Sequence, residues 1–146
     1  MAVLDSAARG LAAGFIGTAA LTASQRIEMR ITGRPPSDLP VQVASGVLGI
    51  RPRSPRARAA VGFATHWVNN TSSGLGRAAL GATGLHGAPA VAGTFALYLG
   101  GGAVLFSRLG LAPPPWGRKP GALAVDVIHA AVYAVATNAA YERLER

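Results

Sequence analysis

Residues 121–141 read GALAVDVIHAAVYAVATNAAY, a run of small and apolar residues whose ionisable groups, two tyrosines aside, are Asp126 and His129. No proline interrupts it, and at about 1.5 Å per residue a helix of this length measures about 30 Å, the thickness of a bilayer's hydrocarbon core. Stretches of similar make lie at 10–25, 59–82 and 88–107. The chain therefore reads as all-α: a four-span transmembrane helix bundle forming one integral membrane domain over residues 1–146. Composition agrees, with 50% hydrophobic and only 14% charged residues and a mean hydropathy of +0.32, a departure from an average soluble chain. The segment 59–82 is the weakest of the four, since it holds His66, Asn69, Asn70, Thr71, Ser72, Ser73 and Arg77. A soluble helical bundle is the competing reading.

Working outward from the apolar runs, the connections are basic. Of 14 Lys and Arg, seven lie from Arg26 to Arg58 and three more are Arg108, Arg118 and Lys119. The positive-inside rule puts these two connections in the cytoplasm and both termini on the outer side. The net charge of +8 sits in connections and not on an aromatic-bearing face, so no nucleic-acid partner is expected. The first run ends in small residues like a secretory signal, but Asp5 and a lone Arg9 precede it while Arg26, Arg30 and Arg34 follow, which favours an uncleaved helix. There is no cysteine, which removes disulfides, thiolate metal sites and cysteine nucleophiles. Arg outnumbers Lys thirteen to one in an Ala-rich chain, a bias that suits GC-rich coding and a bacterial plasma (inner) membrane.

The first helix should run on to Gly33, where Pro35-Pro36 ends any helical pattern. Ser37 and Asp38 can cap a short second element over 38–50, too short to span and suited to an interfacial amphipathic helix. It would bring Arg51, Arg53, Arg56 and Arg58 close to lipid phosphates. Gly84 to Pro89 forms a tight hairpin turn, and Trp116 beside Arg118 and Lys119 suits a membrane interface. Gly10-x-x-x-Gly14 and Gly100-Gly101-Gly102 mark packing faces, within one chain or in a homo-oligomer or larger membrane complex.

Asp126, His129, Tyr133 and Thr137 recur at helical spacing, and His66, Asn70, Ser73 and Arg77 do the same in 59–82. Ionisable groups at membrane depth cost about 2.5–3.5 kcal/mol each on insertion scales, so the two stripes should face protein, and each other. His66 and His129 each lie seven or eight residues into their spans, about 10–12 Å deep. Three readings follow. His66, Asn70, His129 and Tyr133 could hydrogen-bond across the bundle and specify helix pairing. His66, Asp126 and His129 could line a polar cavity or proton path, making the protein a transport component. Or they could hold a ligand, either a divalent metal on both histidines and Asp126 or a haem on the two histidines, as in a redox component. No nucleophile elbow or Walker loop is present, so no catalytic residue is assigned.

His66-Trp67, Gly110-Leu111-Ala112-Pro113-Pro114 and Asp126-x-x-His129-x-x-x-Tyr133 with a Glu142-Arg143 end form a pattern that resembles the YagU-like group of small bacterial inner-membrane proteins. Gly10-Leu11-Ala12-Ala13-Gly14 and Arg34-Pro35-Pro36-Ser37 fit its first half. The resemblance implies a compact multi-span membrane protein and no reaction, leaving a structural or accessory role as the expectation.

Overall fold

A computed structural model describes residues 2–146, apart from the side chains of Ala2 and Pro115. It is all-α, with five helices and no strand among the described residues: α1 (Ala2–Thr32), α2 (Leu39–Leu48), α3 (Pro55–Ala82), α4 (Gly87–Arg108) and α5 (Pro120–Glu145). A single 3-10 turn, Pro115–Gly117, stiffens the connection before α5.

Each boundary has a local cause. α1 ends where Gly33 takes φ 69°, its N–H donating to the Met29 carbonyl at 2.9 Å, a left-handed stop that glycine accepts without strain. α2 begins after Asp38, whose side chain caps nothing; Ser37 Oγ accepts from the Leu39 N–H at 3.2 Å, and the Asp38 carboxylate goes to Arg58 at 2.8 Å. α3 begins at Ser54-Pro55, four residues before the expected start, because Ser54 Oγ accepts the Ala57 N–H at 3.1 Å and proline fits the first turn.

α1 is the hub, packed along its length between α3 and α5, while α3 and α5 touch each other only sparingly. α4 covers α5 and α3, and α2 lies on α3. Contacts pair Thr22 with His66 and Gly10 with Ala78, so α1 and α3 run antiparallel; Ser24 with His129 and Ser6 with Tyr141 give the same for α1 and α5. All of Arg26–Arg58, Arg108, Arg118 and Lys119 thereby fall at one end of the bundle. The α1–α3 crossing is made of glycine. A Cβ placed on Gly74 would lie 2.7 Å from the Gly14 Cα, and one on Gly10 would lie 2.9 Å from the Gly74 carbonyl oxygen. Only bare backbones fit there.

The distribution of polarity is inverted. Arg77, Tyr133, Thr18 and Thr137 are wholly buried, whereas Phe15, Ile16, Phe63, Val68, Leu97, Val104, Ile128 and Val135 are exposed. By length and composition two helices, α4 and α5, are apolar enough to cross a membrane, where four spans are expected. α1 and α3 fall short because polar residues lower their average. In α4 only 11% of the apolar window is buried, the reverse of a soluble core helix.

Candidate functional site

The polar interior forms three layers along α1. In the middle, Asn70 is the junction. Its Nδ2 donates to the His66 carbonyl at 2.6 Å and to His66 Nδ1 at 3.2 Å; its Oδ1 accepts from the Tyr98 hydroxyl at 2.6 Å, and its backbone carbonyl accepts from the Tyr133 hydroxyl at 2.7 Å. With Nδ1 accepting, the remaining proton of a neutral His66 sits on Nε2, which donates to Thr22 Oγ1 at 2.9 Å. The Thr22 hydroxyl passes its own proton on to the Thr18 carbonyl at 2.7 Å. Tyr98 and Tyr133 stack with ring centroids 4.1 Å apart. Four helices meet here, and both imidazole nitrogens of His66 are engaged.

Toward the basic end, His129 Nδ1 meets Ser24 Oγ at 2.9 Å, while its Nε2 is buried without a hydrogen bond, 3.9 Å from Glu28 Oε2. Glu28 is held by Arg34, which returns across the Gly33 turn to donate from Nε at 3.2 Å and Nη2 at 2.7 Å. That guanidinium, with lesser help from Thr32, holds the Glu28 carboxyl below its ordinary range. Asp126 pairs with Arg118.

At the far end Arg77 is fully buried: Nε donates to Asn138 Oδ1 at 2.6 Å, the guanidinium lies 4.2 Å over the Tyr141 ring, and Nη2 is 3.8 Å from Glu142 Oε1. Neither Nη nitrogen has a hydrogen bond. Glu142 accepts the Gly87 N–H at 2.7 Å and Asn138 Nδ2 at 3.1 Å, and these two bonds, the first foremost, hold its carboxyl below the ordinary range. Arg77 does not snorkel outward. It ties α3 to the end of α5.

The expected site is thus rearranged. His66, Asn70 and Tyr133 do come together, as the facing stripes imply. His129 and Asp126 are placed apart from them, and Asp126 turns to Arg118 and not to His129. His66 and His129 bond to Thr22 and Ser24 of α1, about 3 Å apart along the axis but about 200° apart around it. The two imidazoles therefore engage different faces of α1 at similar depth. Among the described residues, no group of three His, Asp or Glu side chains is disposed to hold a metal ion, which corrects the divalent-metal set of His66, His129 and Asp126.

Of the basic residues expected at lipid phosphates, Arg51, Arg53 and Arg56 are exposed, whereas Arg58 is bound to Asp38 and holds that carboxyl below its ordinary range. The sequence reading passes over Thr22, Ser24, Tyr98 and Asn138. Asn138 lies four residues before Glu142, a spacing that signals a helical pair; the threonine and serine hydroxyls carry no such signal. No family model, no curated protein and no solved structure matches the chain.

Proposed function

We propose that the chain is a structural or accessory integral membrane protein of the bacterial plasma membrane, crossing it four times through α1, α3, α4 and α5, with α2 at the cytoplasmic interface. The observation that carries this reading is the inverted polarity: a wholly buried arginine inside, an apolar band of Phe15, Ile16, Phe63, Leu97, Val104 and Val135 outside. In water that band would be a large exposed apolar patch. In lipid it is the expected exterior, and the buried hydrogen bonds replace water.

α1 and α3 belong to the membrane set because many of the residues that depress their hydropathy face inward, although Arg9 of α1 and Asn69 and Ser72 of α3 are exposed. Gly10, Gly14, Gly17 and Thr18 are buried on α1, while Leu11, Phe15 and Ile16 face out. The gathering of ten of fourteen basic residues at one end supports a cytoplasmic location for that end. The filled hydrogen bonds of His66 favour helix pairing over redox or transport chemistry for the central layer.

Alkaline carbonate washing and single-cysteine labelling test the reading, the cysteine-free chain being a clean background. The protein should remain in the membrane pellet. A cysteine at Ser54 should react with impermeant maleimide only after the membrane is opened, and one at Leu85 in intact spheroplasts. Release by carbonate, or both positions reacting from outside, would refute it.

A further inference from the structure

Between α2 and α3 lies an open groove of about 430 Å³. One wall is Val47, Leu48 and Ile50, the other Val61, Ala64 and Val68, so its surface is almost wholly apolar. Val68 and Leu48 remain 66% and 68% exposed. From Val61 the groove follows α3 to Ser72, about 16 Å along the helix. At its mouth the chain continues directly from Ile50 into Arg51, Pro52 and Arg53, with Arg56 in the first turn of α3. None of these three arginines has an ion pair among the described residues; Arg58, by contrast, is neutralised by Asp38.

We propose that this groove is a binding site for one anionic phospholipid, its acyl chain lying between α2 and α3 and its phosphodiester held by Arg51, Arg53 and Arg56. The proposal rests on the membrane reading above and adds a stoichiometric ligand to it. An apolar trench opening onto uncompensated guanidinium groups matches the two halves of such a lipid, since arginine forks bind phosphate oxygens in pairs. A second copy of the chain lacks the complementary charge. Its six acids are Asp5, Glu28, Asp38, Asp126, Glu142 and Glu145. All but Asp5 face a basic partner of their own, and Asp5 is in the first turn of α1, at the opposite end of the bundle.

Native mass spectrometry of the detergent-extracted protein with added phosphatidylglycerol or phosphatidylcholine tests this. The parent should retain one phosphatidylglycerol per chain in preference to phosphatidylcholine. With basic residues near an anionic phosphate contributing about 1 kcal/mol each, the triple variant Arg51→Gln, Arg53→Gln, Arg56→Gln should bind phosphatidylglycerol on the order of 100-fold more weakly. Ala64→Trp, an exposed position that fills the groove, should lose the adduct of either lipid while still pelleting with membranes and unfolding as the parent does. Equal retention of both lipids by parent and triple variant, an adduct that survives Ala64→Trp, or a dimer mass lost on Ala64→Trp would overturn the lipid site. A carbonate-resistant parent without retained lipid sinks this proposal alone; a carbonate-released parent sinks the membrane reading with it.

Discussion

Replacing Gly74 by alanine probes the close backbone approach of α1 and α3. The new Cβ would stand 2.7 Å from the Gly14 Cα and 2.8 Å from the Gly14 nitrogen, with backbone and not a flexible side chain as the obstacle. The helices must separate, and overpacking of this kind typically costs about 1–3 kcal/mol. Alanine also gains up to about 1 kcal/mol of helix propensity over glycine, so the net loss is smaller than the steric cost. Gly100→Ala supplies the control, because nothing lies within 4 Å of its Cβ position. Both variants share the propensity gain, and the difference between them isolates the steric cost, about 1–3 kcal/mol in favour of Gly100→Ala. Reversible unfolding by sodium dodecyl sulfate in mixed micelles gives the measurement. Trp67 of α3 packs on Phe15 of α1 with centroids 4.9 Å apart, so its emission follows the separation of these two helices. Equal midpoints for Gly74→Ala and Gly100→Ala would refute the backbone contact, and with it the placement of α1 as the hub.

Two further outcomes follow from the buried polar layers. Asn138→Leu removes the 2.6 Å acceptor of Arg77 Nε and leaves a fully buried guanidinium without a hydrogen bond, a loss of about 1.5–3 kcal/mol for a bond to a charged group. Adding Arg77→Met should recover much of that loss in the same unfolding assay; a double variant less stable than Asn138→Leu would contradict it. Glu28, Asp38 and Glu142 all have carboxyls held below their ordinary range by Arg34, Arg58 and the Gly87 N–H respectively. Such groups add stability above their unfolded-state pKa, about 4 for carboxylates, and lose it as pH falls through the lower folded value. The part of the unfolding midpoint that these carboxylates supply, read as the difference between parent and Glu28→Gln, should be constant from pH 7 to about 5 and shrink below about 4; a difference that grows on acidification would exclude this origin.

Much of the helix layout is legible in the residues, because punctuation is local. Gly33 with Pro35-Pro36 ends α1, and the Gly84–Pro89 turn makes the α3–α4 hairpin. The start of α3 moves to Pro55 because a serine-proline cap outranks the first apolar residue. What the sequence does not carry is helix adjacency. His66 and His129 stand at similar depth as their offsets imply, yet nothing in a periodicity says that they turn to different faces of α1. Asp126 similarly lies one turn from His129 in sequence, and the 3-10 turn brings Arg118 to it first.

On the proposed four-span reading, adjacency also explains why a simple hydropathy average underrates α1 and α3. On α1, residues 10, 14, 17 and 18 are the small and polar ones that lower the average, and all four are buried. On α3, Asn70, Gly74 and Arg77 do the same and are buried, while Asn69 and Ser72 lower it from the exposed side. An average treats both faces alike, whereas in the proposed bundle lipid touches only the outer one. Gly14 and Gly74 allow the backbones to meet, which brings Thr22 within hydrogen-bonding reach of His66 and positions Asn70 for Tyr98 and Tyr133. The same substitutions of apolar for small or polar residues that would strengthen each helix as an isolated membrane span would therefore dismantle the interior that joins them, which makes the weak hydropathy of α1 and α3 a requirement of the packing.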